Sequence, residues 1–338
     1  MVEHTYKSAG VDRNTASEIV RRVGALAATT AGPQVIGGVG GFGALYELAG
    51  FSEPVLVSST DGVGTKLKVA ATLRRFEGLG EDVVNACVND VVVLGARPLF
   101  FLDYLAMGEL DVDAAEALAT GMARACREVG CAMIGGETAE MPGIYAEGDF
   151  DLAGFVVGAV EKSEIVDGST IRDGDVLVGL PSNGLHTNGF SLVRHVLGLD
   201  ADESPLHEYH AELGETLGDA LLRPHTSYYN AVSGAFPSIK GMAHITGGGL
   251  LENVPRVLPD GLFASFDTSS WTAPPIFAFL QERSNVGRDE MYRVFNMGLG
   301  MVLACDASEV KDVLTTIDGA VVVGSVEVQS GQDRVGLR

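Results

Sequence analysis

Between Pro54 and Arg75 the chain passes through three textures. A short apolar run, Pro54-Val55-Leu56-Val57, gives way to Ser58-Ser59-Thr60-Asp61-Gly62-Val63-Gly64-Thr65-Lys66, and that to an amphipathic run from Leu67 to Arg75. The pattern predicts a buried strand, a glycine turn and a helix. An acid and a lysine flank the turn. A carboxylate there can hold a metal, and backbone N–H groups at a helix start can approach phosphate oxygens. The competing reading is a plain strand–turn–helix corner, because Asp-Gly turns are common.

A second glycine cluster precedes it. Gly37-Gly38-Val39-Gly40-Gly41-Phe42-Gly43 holds five glycines in seven positions, too many for a stable helix or strand interior because the ordering entropy is large. It reads as a mobile phosphate-covering loop or as a linker. It lacks the G-x-x-x-x-G-K-[ST] pattern and does not open a helix as G-x-G-x-x-G must. Upstream, Tyr6 to Asp12 leads into a helix from about Asn14 to Ala28.

From Gly80 to Ala96 the sequence predicts a largely buried helix despite its valines. Asn85 and Asn89 are four apart and share a face, beside Asp90. A polar stripe on an apolar helix needs partners: it either caps neighbouring backbone or lines a polar site. Pro98 ends the element, and Leu99–Tyr104 reads as a strand with Asp103 an intrusive charge. Asp111 is placed to cap a helix running to Val129. Cys131–Ile134 reads as a strand that runs into Gly135-Gly136-Glu137-Thr138-Ala139-Glu140-Met141-Pro142-Gly143, where two acids in a glycine and proline turn stand ready for ligation or sit in a solvated loop. Asp151–Val160 reads as the strand that closes a first domain.

The pattern resets near Val166–Ser169, which divides the chain into residues 1–168 and 169–338. In the second part, strand 175–180 leads to Pro181–Ser191, with His186 and Asn188 expected at a loop tip. His244-Ile245-Thr246-Gly247-Gly248-Gly249-Leu250 ends a strand and starts a helix, a second possible anion cradle. Terminal helix (308–317) and strand (320–328) patterns finish the domain. The alternation predicts an α+β fold of two α/β-layered domains, not a doubly wound Rossmann sheet.

Composition narrows the function. With 338 residues, each half can bury its own core. The formal net charge of −22 and sequence pI of about 4.6 argue against nucleic acid as a partner. A local pocket of glycine amides and Mg²⁺ can still receive a phosphorylated substrate. Met1-Val2-Glu3-His4-Thr5 carries no apolar run, and no stretch approaches the ~18 apolar residues of a membrane span, so neither a secretory signal nor a membrane is expected. Cys87, Cys126, Cys131 and Cys305 form no C-x-x-C pair, and buried free thiols in a reducing cytoplasm are expected.

These motifs together resemble the phosphoribosylformylglycinamidine cyclo-ligase (AIR synthetase) family of purine biosynthesis. The similarity runs in order through Tyr6–Asp12, Gly37–Leu45, Thr60–Lys66, the D-x4-G-A-x-P run at Asp90–Pro98, Gly135–Pro142, Thr246–Gly249 and Met291–Met301. The resemblance implies ATP-dependent closure of an imidazole ring on a small ribonucleotide, with ATP and Mg²⁺ as cofactors. It also implies a cytoplasmic homodimer whose N-terminal mixed sheets join across the pair, an N-terminal ATP-binding domain, and a C-terminal substrate-binding sheet with packed helices. On that basis Asp61, Asp90 and Glu137 are expected as Mg²⁺ ligands. Lys66, Thr65 and the amides of Gly38, Gly40, Gly41 and Gly43 are expected on the phosphates. Asn89, Asp103, Glu140 and Asp151 are lesser candidates for the nucleotide pocket, Asp103 also for a catalytic role with Lys66. His186, Asn188, Thr246, Gly247, Gly248 and Gly249 are expected to face the ribonucleotide, His186 as the base. The nearest rival is a small-molecule kinase of the same superfamily, of the thiamine-phosphate kinase type. A selenophosphate synthetase is disfavoured because no Cys precedes Cys87, and the hydrogenase-maturation relative because the chain ends without a terminal Cys. A non-catalytic nucleotide-binding scaffold would have little reason to keep three acids in glycine turns.

Overall fold

The computed structural model describes residues 13–38 and 40–338; the Tyr6–Asp12 motif lies outside them. In chain order the first part comprises α1 (Arg13–Ala28), β1 (Val35–Ile36), β2 (Leu45–Tyr46), β3 (Pro54–Gly62), α2 (Lys66–Leu73), α3 (Glu77–Val92), β4 (Arg97–Met107), α4 (Val112–Glu128), β5 (Ala132–Glu140) and β6 (Phe150–Glu161). The second comprises β7 (Val176–Pro181), α5 (Phe190–Val196), β8 (Tyr209–His210), β9 (Glu215–Thr216), α6 (Leu217–Leu221), α7 (Tyr229–Val232), β10 (Ile239–His244), α8 (Gly249–Asn253), β11 (Leu262–Phe266), α9 (Pro275–Ser284), α10 (Arg288–Val294), β12 (Leu299–Cys305), α11 (Val310–Thr316), β13 (Val321–Val328) and β14 (Val335–Leu337).

A four-stranded sheet in the order β3-β6-β4-β5 carries the first part. Its pairs are antiparallel except β4–β5, which is parallel, so the sheet is mixed. The second part holds a six-stranded sheet, β10-β12-β7-β13-β11-β14, with helices packed on it. The α+β architecture of two layered units expected from the alternation is the one observed.

Helix α3 is the hinge of the arrangement. It lies between α4, the four-stranded sheet and the second domain, and most of its residues are buried. Its valines survive in a helix because packing outweighs their small propensity penalty. The α3–α4 crossing is made by two glycines: a Cβ on Gly80 would lie 2.0 Å from Leu118 O, and one on Gly121 1.9 Å from Glu77 O. The backbones therefore touch, and Arg124 of α4 ties Glu77 and Glu81 of α3 at the rim. Asp111 caps α4 as expected, its Oδ1 accepting from the amides of Asp113 and Ala114 at 3.0 Å.

Two strands are longer than the sequence pattern suggests, and both extensions carry site residues. β3 continues through Gly62, so Asp61 stands on a strand rather than in a turn. β5 continues through Glu140, so Glu137 and Glu140 are strand residues too, not members of a glycine and proline loop. Strand pairing over nine and eight positions decides this in both places. The glycine cluster forms the tip between β1 and β2, which pair antiparallel; Gly37 and Gly40 take φ of 89° and 114°, where a side chain would be strained. The four cysteines are free and buried. No helix among the described residues is long and apolar enough to cross a membrane.

Candidate active site

The polar stripe of α3 goes to backbone. Asn89 Nδ2 donates to Thr226 O at 2.9 Å, and its Oδ1 accepts from Tyr228 N at 2.9 Å. Asn85 donates to His225 O at 2.7 Å, and Asp82 accepts from His225 N at 2.7 Å. One helix face thus holds the segment 225–228 of the second domain as a neighbouring strand would. Asn89, expected in the nucleotide pocket, is fully buried in this splice.

Lys66 is likewise elsewhere than on phosphate. Its ammonium is fully buried, 2.7 Å from Asp82 Oδ2, and donates to His186 O at 3.2 Å and Arg223 O at 2.8 Å. Its donors are all engaged within the chain. Burial pulls the Lys66 ammonium below its ordinary value while Asp82 pulls the other way.

His186 is not at a loop tip. It is 1% exposed, with φ of 59°, its ring stacked on His225 with centroids 4.0 Å apart. Burial, then the nearby His244 and Lys66, hold it well below the usual histidine range. Thr226 N donates to its Nε2 at 3.5 Å, and Nδ1 finds no partner. His186 is thus a buried neutral imidazole rather than an exposed loop residue.

The histidine that does meet the acids is His244, at the end of β10. Its Nδ1 lies 2.9 Å from Asp90 Oδ1, and its Nε2 lies 2.9 Å from His225 Nε2. His225 Nδ1 in turn is 3.4 Å from Thr187 Oγ1. The network assigns the proton of His244 to Nδ1, facing the carboxylate. Asp90 also accepts from Ser59 Oγ at 2.9 Å. Burial works against its ionisation, but the bonds from His244 and Ser59 outweigh it and hold the carboxyl below the usual range. Asp61 stands close by on β3; burial above all, with the Asp90 charge beside it, raises its pKa despite a bond from Gly62 N.

Asp90 and His244 line a cavity of about 310 Å³ between the domains, together with Ser58, Ser59, Asn253 and Arg256. Sequence reasoning missed His244, His225 and Arg256. The one signal for His244 was its position at a strand end just before Thr246-Gly247-Gly248-Gly249; its partner lies 154 residues away in the chain.

Glu137 does not join Asp61 and Asp90. Asp61, Gly154, Asp103 and Gly136 form one row across the four strands. Glu137 is thus three strand spacings from Asp61, about 14 Å, and one residue out of phase, on the opposite face of the sheet. Among the described residues no group of three or more His, Cys, Asp or Glu is arranged to hold a metal. The three-acid cluster expected from the sequence is not formed within one chain.

Glu137 instead lines a second cavity of about 310 Å³, together with the glycine loop (Gly38, Gly40, Gly41, Phe42, Gly43), α1, Asp103 and Gly135–Thr138. Glu140 accepts from Leu110 N at 3.1 Å, and Asp151 Oδ1 from Leu152 N at 2.9 Å. Thr65 Oγ1 meets Ser191 Oγ at 2.9 Å, joining the turn after β3 to the first turn of α5. Asn188 and the Thr246–Gly249 turn do come together: a Cβ on Gly247 would lie 3.4 Å from Asn188 Oδ1. Asn253 Nδ2 ties that turn through Gly247 O and Gly249 O at 3.1 and 2.9 Å. The helix that follows, α8, has only five residues, so its dipole offers an anion little.

The two layered domains and the cavities between and beside them are those of a two-domain class. Residues 44–160 match the family profile described as AIR synthase related protein, N-terminal domain, and residues 172–335 match AIR synthase related protein, C-terminal domain. Within that class the resemblance is specific. The chain is 53% identical over 321 residues to the phosphoribosylformylglycinamidine cyclo-ligase of Aromatoleum aromaticum, covering 94% of this chain and 91% of that one. It is 51% identical to the one of Trichlorobacter lovleyi, covering 96% and 95%. The chain belongs to the phosphoribosylformylglycinamidine cyclo-ligase family. Among solved structures it shares its fold with thiamine-monophosphate kinase from Stenotrophomonas maltophilia (TM-score 0.68, 18% identity, 95% of each chain). It shares it also with the hydrogenase maturation protein HypE in complex with ATP (TM-score 0.65, 18% identity, 92% and 88%). At that identity the kinase likeness speaks for fold alone.

Proposed function

We propose that this chain converts formylglycinamidine ribonucleotide to aminoimidazole ribonucleotide in purine biosynthesis, with ATP becoming ADP and phosphate. The observation that carries the reading is the match at about half identity, over nearly the whole of both chains, to relatives named for that reaction. ATP use is supported by fold relatives solved with ATP and with AMPPCP.

An amide oxygen is a poor leaving group. Transfer of the γ-phosphoryl of ATP to the formamide oxygen gives an iminophosphate, and attack by an internal nitrogen then expels phosphate and closes the ring. The protein's task is to align the phosphoryl with that oxygen and keep water out. The amides of Gly38, Gly40, Gly41 and Gly43 are our candidates for phosphate contacts. Ser59 and His244 fix Asp90 at the other end of the site. Asn188 with the Thr246–Gly249 turn, and Arg256 in the interdomain cavity, are the groups we assign to the ribonucleotide. Asp90, held ionised by its bonds from Ser59 and His244, keeps a negative charge at that end of the site.

Mg²⁺ fits part of this donor set. It favours one or two carboxylates plus substrate oxygens and water over an all-protein cage, and Asp61 and Asp90 are the two that would hold it. When bound, it would neutralise phosphate charge there. Glu137 stands on the other face of the sheet, the face that carries Leu56 and Phe155, 61% and 46% exposed. An apolar sheet face of this kind favours cover, and a second copy of the chain is the partner we propose, in a cytoplasmic homodimer.

The test is to incubate purified protein with ATP, Mg²⁺ and formylglycinamidine ribonucleotide and follow aminoimidazole product and ADP together. One ADP per ring closed supports the reading. ADP without aminoimidazole would turn it towards a kinase.

A further inference from the structure

Asp103 is a carboxyl placed where the core wants none. It sits in the middle of β4, 7% exposed, beneath α3 and α4. Among the described residues the one hydrogen bond to it comes from its own backbone amide. Such a group costs stability unless something answers it. The neighbouring strand is shaped to let something in. Opposite Asp103 stands Gly136, and a Cβ there would fall 2.2 Å from Asp103 Oδ1. The side-chain-free stretch Gly135-Gly136 therefore opens a window from the cavity under the glycine loop to this carboxyl, which lines that cavity.

The rest of the cavity is a slot for something flat and apolar. Val20 and Val23 of α1 and Met133 and Ile134 of β5 wall it, and Phe42, fully exposed on the glycine loop, stands at its side. Its volume is at the low end of the ~300–1,000 Å³ of small-molecule sites, enough for part of a nucleotide with the remainder outside.

We propose that Asp103 reads the base of the nucleotide: the adenine enters the slot, its N6 amino group donates to the Asp103 carboxyl, and Phe42 offers the ring a stacking face. Ribose and phosphates then run outward along the glycine amides. The inference rests on the ATP-using reading and adds the group that recognises the base. A buried acceptor with no other partner among the described residues makes the amino group worth far more here than at a solvated surface, which gives base selectivity without a large contact area. Asp103 touches the nucleotide and takes no part in bond making.

The test pairs a deletion in the protein with one in the ligand. Binding of ADP, and of purine riboside diphosphate, which lacks the N6 amino group, is measured by calorimetry on the wild-type chain, on Asp103→Ala and on Asp103→Asn. The wild type should prefer ADP by about tenfold or more. Asp103→Ala should bind the two ligands alike, and Asp103→Asn, which keeps an acceptor of the same shape, should keep most of the preference. With the triphosphates, KM for ATP should rise in the alanine variant while KM for the ribonucleotide stays within about twofold. Equal preference for ADP in wild type and alanine variant, each folded by circular dichroism, would overturn the inference and leave ATP use standing. Absence of any nucleotide binding by the wild type would overturn the parent reading as well.

Discussion

Lys66 Nζ and Asp82 Oδ2 lie 2.7 Å apart with both side chains fully buried, and the same ammonium donates to His186 O and Arg223 O of the second domain. An ion pair inside one domain therefore carries hydrogen bonds into the other. Asp82 extends the link by accepting from His225 N. Burial pushes the Asp82 carboxyl up to about 6 in spite of the lysine, so this junction stores charge at a cost that only its full set of partners offsets.

Removing one partner should expose that cost. Lys66→Met leaves an unpaired buried carboxyl and orphans two carbonyls, and should lower unfolding free energy by about 3–5 kcal/mol. The double change Lys66→Met with Asp82→Leu should recover a good part of the loss. Urea denaturation of the wild type and both variants measures the loss and the recovery. A Lys66→Met protein of wild-type stability that has lost ATP affinity would return the lysine to the phosphates.

The Asn89 splice makes a related prediction with a different readout. Asn89→Ala removes a donor to Thr226 O, in a half-buried bond, and an acceptor for Tyr228 N, in a buried one, at about 1–3 kcal/mol for each group left unsatisfied. Asn89→Asp keeps the acceptor but sets a carboxylate against a carbonyl, and should be at least as damaging. Hydrogen exchange should quicken at the Tyr228 amide in either variant. Unchanged exchange there would mean that the segment is held by its own contacts.

How much of this was legible in the sequence depends on what each residue answers to. The Asp111 cap and the glycine-rich loop were readable because a cap and a loop are local. The corner after β3 was read correctly in kind but not in length, since strand pairing with β6 carries β3 past the polar residues that look like a turn. The stripe on α3 was visible at four-residue spacing, yet its partners are backbone atoms of residues 225–228, far along the chain. Lys66 and His186 looked free for chemistry because lysine and loop histidine are usually solvated. Only the docking of the two domains buries them. Asp90 was singled out, but the imidazole that completes it, His244, had no nearby acid to announce it.

That pair gives the sharpest functional prediction. Asp90→Asn should retain the fold, because the amide can still engage Ser59 and His244, but it removes the charge that faces His244 Nδ1 and Asp61. We expect kcat to fall by a factor of about 10² or more, as for loss of a proton-handling or charge-holding group, with ribonucleotide binding changed far less. His244→Gln should fall in the same range, and the double variant should be little worse than either single one if the two act as a unit. Steady-state kinetics at saturating Mg²⁺ decide it; near-normal kcat for Asp90→Asn would remove that residue from the working set.

Asp103 ties stability to pH in the less usual direction. Burial raises its carboxyl to about 7, above the ~3.9 of an unfolded chain. Between those values the folded protein binds more protons than the unfolded one, so the group's contribution is fully present below about pH 4 and is lost as pH rises through 7. Asp103→Asn cannot ionise and should escape that loss. Its stability relative to the wild type should therefore climb from pH 4 to pH 7 and level off above, with a total gain of up to about 4 kcal/mol for three pKa units. Guanidinium unfolding of both proteins at pH 4, 5.5, 7 and 8 gives the curve. A difference that stays flat across this range would mean that the carboxyl finds a partner or water that keeps it ionised, and would count against a carboxyl waiting at the back of the slot for the nucleotide's amino group.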